Sequence, residues 1–110
     1  MTRRIALITN DKSFEEYVKM TALTLTKLNY QVDIQKIEIP SANLIIIDFD
    51  DKQNLEKLKN IRKEKIFQNN KILGVLSDGS TDKKDLFEAG CDSIITKKEF
   101  EIAANNILMY

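Results

Sequence analysis

Three polar side chains stand where apolar runs end: Asp48 after "NLIII", Ser77 after "KILGVL" and Lys97 after "CDSIIT". A carboxylate, a hydroxyl and an ammonium brought to one place form a phosphoryl-acceptor site, in which the carboxylate attacks and the other two hold oxygens of the transferred group. A divalent cation such as magnesium would complete the charge balance, with Asp48, Asp11 and Asp50 as its candidate oxygen ligands. The chain has no histidine and a single cysteine, Cys91. That excludes histidine catalysis, an internal disulfide and the usual nitrogen and sulfur ligand sets for zinc, copper or iron.

The elements that must position these residues read as short β-rich runs alternating with helical patterns. "RIALIT" (Arg4 to Thr9) is the first strand, ended by the turn-prone "NDKS". A helix is predicted from Ser13, an N-cap with Glu16 as capping-box partner. Its apolar face is Phe14, Tyr17, Val18, Ala22, Leu25 and Leu28, and it closes at Asn29. "YQVDIQKIEI" reads as the second strand, and "NLIIID" as a central strand covered on both faces. "DKQNLEKLKNIRKEK" is an amphipathic helix turning Leu55, Leu58 and Ile61 inward. After the "KILGVLS" strand comes a short helix, capped by Ser80 or Thr81 and stopped by Gly90. "CDSIIT" is the fifth strand, and the last helix turns Phe100, Ala103, Ala104, Ile107 and Leu108 inward.

Strands and helices in this alternation predict a parallel sheet covered on both faces, with ligands bound outside the carboxyl ends of its strands. One connection is too short for the usual helical return. Between Ile37 and Asn43, a stretch that includes Pro40, the chain must cross extended at about 3.3 to 3.6 Å per residue. The alternative is an antiparallel hairpin.

A length of 110 residues predicts one domain, residues 1–110. Lys plus Arg and Asp plus Glu are 17 each, which leaves no overall charge to draw the protein onto nucleic acid or an anionic membrane. No apolar run approaches the roughly 20 residues of a membrane span. The basic start "MTRR" before "IALIT" reads as strand rather than signal peptide, so the expected location is the cytoplasm.

In order and spacing these segments resemble the response-regulator receiver domain, the CheY-like module of two-component signalling. "RRIALITNDKSFEEYVKMTALTLTKLNYQV" resembles its opening strand, acidic turn and first helix, and "NLIIIDFDD" its phosphoacceptor strand. "KILGVLSDGS" resembles the strand ending in the switch hydroxyl, and "EAGCDSIITKKEF" the turn bearing the family's lysine. The resemblance implies a flavodoxin-like, doubly wound, five-stranded parallel sheet in the order 2-1-3-4-5. It puts the phosphoacceptor on Asp48, the hydroxyl on Ser77 and the lysine on Lys97, with an internal ion pair between Lys97 and Asp48 expected. The chain departs from the pattern at Thr9 and Asn10, where an active receiver carries two acids, at Ile94, the aromatic switch position, and at Lys98, usually proline. The helix between strands two and three is also missing.

The resemblance with its departures implies an atypical receiver, not an enzyme, with weak or absent Mg2+ binding and impaired phosphorylation. Its partner is expected to be a protein, a histidine kinase or downstream target, met through Ser80–Gly90 and Lys98–Tyr110. The missing helix predicts uncovered apolar side chains on strands one and three, and with them a homodimer or a bound partner. Asp50 and Asp51 read as acids favoured at a helix N-terminus, and Cys91 as a core residue. Two rival readings remain: an active response regulator phosphorylated on Asp48, and a flavodoxin-like nucleotide or flavin binder. The second lacks a glycine- or serine-rich phosphate loop at "TNDKS".

Overall fold

The unbroken apolar runs make the middle of a sheet. The computed structural model describes residues 2–25, 29–34, 42–64, 70–77 and 83–109. Within them lie strands β1 (Thr2–Ile8), β2 (Asn29–Ile34), β3 (Leu44–Asp48), β4 (Ile72–Leu76) and β5 (Ser93–Thr96). They pair in the order β2-β1-β3-β4-β5, each pair parallel. The helices are α1 (Lys12–Thr24), α2 (Gln53–Lys63), α3 (Lys84–Glu88) and α4 (Lys97–Met109). This is the flavodoxin-like sheet that the resemblance implied.

Every residue of β3 and β4 is buried, as strands with both faces covered require. Because successive side chains point to opposite faces, the apolar runs divide into two cores. On one face Ile5, Leu7, Leu44, Ile46, Leu73 and Val75 pack with Phe14, Val18 and Ala22 of α1 and with Phe100, Ala104 and Leu108 of α4. On the other, Ala6, Ile8, Ile45, Ile47, Ile72, Leu76 and Ile94 meet Leu58 and Ile61 of α2 and Leu86 of α3.

β2 and β3 lie on either side of β1 and both run parallel to it, so the antiparallel hairpin between the second and third strands is not formed. The crossing itself, with Pro40, lies outside the described residues, as do Leu28, the cap candidates Ser80 and Thr81, and Tyr110. At the β2 edge the carboxylate of Asp33 is buried against Arg4, whose Nη2 lies 3.3 Å from it.

Three expectations change. Helix α1 is capped by Asp11 rather than Ser13: the Asp11 carboxylate accepts the otherwise unpaired N–H of Phe14 at 3.2 Å. It ends at Thr24 and not at Asn29, which opens β2 because pairing with β1 claims its backbone. The apolar patch expected on strands one and three is not open. Ala6, Ile8, Ile45 and Ile47 are all buried, in a cluster closed by Ala42, Phe49, Leu58 and Ile61. The argument for a dimer through that face falls with it.

Arg62, in the last turn of α2, ties the lower ends of the strands together. Its Nε donates to the Gly90 carbonyl at 2.8 Å and its Nη2 to Asp92 at 2.9 Å, while Asp92 also accepts the N–H of Ile72, which opens β4. Gly90 is required there, since its φ is 113° and a Cβ would lie 2.5 Å from Arg62 Cγ.

Gly74, in the middle of β4, makes room for the ring of Phe49, the residue that follows Asp48. A Cβ at position 74 would lie 2.6 Å from that ring. A rigid aromatic in a packed core yields little, so Gly74→Ala is expected to cost about 1 to 3 kcal/mol in urea unfolding. An unchanged unfolding midpoint would show that the ring has space to retreat.

Candidate functional site

Parallel strands put their carboxyl ends on one edge, and β1, β3, β4 and β5 are neighbours there. Thr9 and Asp11 follow β1, Asp48 ends β3 with Asp50 two residues on, Ser77 follows β4, and Lys97 follows β5 as the first residue of α4. The edge therefore collects residues from nearly the whole length of the chain.

Lys97 is the centre of the cluster. Its ammonium lies 2.9 Å from Asp48 Oδ2, 2.8 Å from Asp50 Oδ2 and 3.0 Å from Asp11 Oδ2. An ammonium has three N–H donors, and here each has a carboxylate to meet. The ring of Phe14 lies beneath, 5.6 Å from the nitrogen to its centroid.

Asp48 is 3% exposed, and a carboxylate so deeply buried must be paired. Its Oδ2 accepts the Thr9 hydroxyl at 2.7 Å as well as Lys97, and its Oδ1 accepts the Asp50 N–H at 3.0 Å. Its backbone carbonyl accepts Nδ2 of the buried Asn54 at 2.6 Å. Neither carboxylate oxygen is left without a donor.

Asp50 turns the other way. Its Oδ1 accepts the Ser77 N–H at 2.9 Å, and its Oδ2 accepts the Ser77 hydroxyl at 2.5 Å together with Lys97. Asp51 behaves as a helix-start acid, accepting the Gln53 N–H at 3.0 Å and the side-chain amide of Asn10 at 3.0 Å.

The charges respond to one another. Burial alone would lower the pKa of Lys97, but hydrogen bonds to Asp50, Asp48 and Asp11 outweigh it and hold the ammonium well above the ordinary lysine value of 10.5. Burial pushes the Asp50 carboxyl up, yet the bonds from Lys97 and Ser77 bring it below 3.8. Asp11 is also lowered, first by Lys97 and then by the Phe14 N–H. On the far side of the sheet edge, burial pushes the Cys91 thiol up to about 11, which makes it an inert core group.

Sequence reasoning brought Asp48, Lys97 and Ser77 to one edge, and the structure places them there. The Lys97–Asp48 pair stands as expected. Ser77, however, gives its hydroxyl to Asp50 and not to Asp48, and Asp50 is far more than a helix-start acid. Thr9, read as a mere gap in an acidic pair, is a ligand of Asp48. Asn54 was missed because α2 buries it beside Leu58 and Ile61, with the expected Leu55 half-buried against the same core. Ile94, 8% exposed, is locked into the core on the α2 and α3 face.

As arranged, these donors do not fit magnesium. The dication demands near-octahedral oxygen coordination with short bonds. Here the three carboxylates already converge on an ammonium, and the neighbours at Thr9 and Asn10 are neutral. Among the described residues no group of acids, histidines and cysteines is disposed to hold a metal ion.

Two consequences can be measured. Replacing Lys97 by Met leaves Asp48 buried without its cation, and the expected loss near neutral pH is about 3 kcal/mol in urea unfolding. Acid acts on the intact protein in the same sense. Because Asp50 and Asp11 titrate below 3.8 when folded, the unfolded chain binds more protons in that range. Their contribution is complete above 3.8 and is lost as the pH falls beneath it. Wild-type stability should decline through that acid window, and in a Lys97→Met variant, where only Ser77 and the α1 N–H groups still hold these acids, the decline should be smaller. Equal stabilities at neutral pH would show that Lys97 is not the counter-ion.

The sequence matches no protein-family model and no curated protein. Solved structures match it over nearly its whole length. A response regulator from Hahella chejuensis superposes with a TM-score of 0.80 at 17% identity, covering 98% of this chain and 93% of that one. The Mn2+-bound response regulator Rcp1 gives 0.77 at 17%, covering 98% and 93%. The chemotaxis response regulator CheY4 of Vibrio cholerae gives 0.74 at 15%, covering 98% and 99%. The chain has the fold of the CheY-like response-regulator receiver domains.

Proposed function

We propose that this chain is a single-domain, non-enzymatic, receiver-like signal-transduction module that works through protein contacts, and that its Asp48 is an inefficient phosphoacceptor. The observation that carries the reading is the bonding of one ammonium by three carboxylates. A phosphoacceptor carboxylate needs a free oxygen to attack with and a cation to neutralise the incoming group. Asp48 has both oxygens engaged, and the position suited to a cation is held by Lys97.

The partner surface we assign is that of α3, β5 and α4. Phe87, Ile102 and Met109 are exposed there. Between β5 and α4 runs a groove of about 860 Å³ whose lining includes Leu73, Ile95, Ile102, Ala103 and Ile107. A histidine kinase or a downstream target is the class of partner that this receiver-like reading implies, and the cytoplasm is the compartment where it would be met. Among the described residues no helix is long and apolar enough to cross a membrane.

A second reading, phosphotransfer to Asp48, is favoured by one distance: Lys97 sits 2.9 Å from the carboxylate, placed to hold an oxygen of a transferred group. Incubation with acetyl phosphate and magnesium, followed by mass spectrometry of the intact chain, separates the two. The expected result is no gain of a phosphoryl group. A labile gain that disappears in Asp48→Asn would establish the second reading and remove the first.

A further inference from the structure

The three acids of the cluster differ in what they hold. Asp48 is bound by Lys97, the Thr9 hydroxyl and the Asp50 N–H, and Asp11 caps α1. Asp50 alone gathers Ser77 N–H, Ser77 O–H and the Lys97 ammonium on two oxygens. The donors come from positions 27 and 47 residues away in the chain. A backbone N–H, a hydroxyl and an ammonium converging on one point are the donor set that receives a tetrahedral oxyanion.

We infer that Asp50 is the resident ligand of an oxyanion site: its carboxylate occupies the donors with which this pocket would receive a free or transferred group of phosphate type. The inference rests on the reading of Asp48 as an inefficient acceptor and supplies a cause for it. The Asp50 side chain is 37% exposed, so the donors face a route from solvent, and Ser77 is exposed beside it. The carboxylate is tethered, and its own N–H is anchored on Asp48 at 3.0 Å. An intramolecular ligand of this kind competes at a high effective concentration against any dilute anion in solution. The ends of β3 and β4 and the first turn of α4 are thereby held together through Asp50.

The test is amide chemical-shift mapping of the full chain with beryllofluoride and magnesium, for wild type and Asp50→Ala. The amides of Ser77 and Lys97 are expected to shift saturably in Asp50→Ala, with an apparent affinity at least about tenfold tighter than wild type, the scale of losing one competing charged hydrogen bond. An Asp50→Ala chain as unresponsive as wild type overturns the inference and leaves the inefficient-acceptor reading intact. A wild type that responds as tightly as the variant overturns both. Scalar coupling across the hydrogen bond from Lys97 Nζ to the Asp50 carboxyl carbon is expected, and its absence refutes the resident-ligand assignment.

Discussion

An ammonium that reaches three carboxylates at once ties together distant parts of the chain. Asp11 stands before α1, Asp48 at the end of β3, Asp50 before α2, and Lys97 at the start of α4. Three carboxylates and one ammonium leave a formal charge of −2 in the cluster. Such an excess cannot be kept dry. The arrangement spreads it outward: Asp48, at 4% side-chain exposure, keeps the innermost position, while Asp11 and Asp50, at 38% and 37%, reach toward water. The neutral donors Thr9 and Ser77 take up lone pairs that Lys97 does not.

How far this was legible in the sequence depends on how each residue reaches its partner. Asp48, Ser77 and Lys97 could be found because each follows an apolar run, the first two directly and Lys97 after Thr96, and parallel strands bring such positions to one edge whatever their side chains do. Asp50 and Thr9 were misjudged for a different reason. Each is a short polar side chain in a turn, and whether it bonds its own helix or crosses to another strand depends on a backbone direction that local pattern does not carry. Asn54 is a third case: it turns inward beside the expected Leu55, and the Asp48 carbonyl, needing a donor, supplied a reason that no hydropathy count contains.

The departure at position 94 belongs with the departure at position 9. Ile94 has no polar end to move between core and surface, and it is packed with Ile72, Leu76, Leu86 and Cys91 in the cluster beneath α2 and α3. Thr9 gives Asp48 a hydrogen bond where an acid would have given repulsion. Both residues favour one conformation over two. A neutral residue beside Asp48 leaves less negative charge for a cation to balance than an acid would, and an aliphatic group at position 94 offers no polar end to exchange partners.

Paired charges in a protein interior seldom add much net stability, because desolvation consumes most of what the Coulomb attraction returns. Their clearer effect is to make alternatives expensive. Opening this pocket would strand Asp48, at 3% exposure, without Lys97, and would unpair Ser77 from Asp50 in the same motion. A ligand can shift such an equilibrium only by its difference in affinity between the two states. An incoming oxyanion meets donors that Asp50 already holds, so little of its binding energy distinguishes one state from the other. On the function proposed above, the surface formed by α3, β5 and α4 would be set when the chain folds, and control would fall to what reaches it.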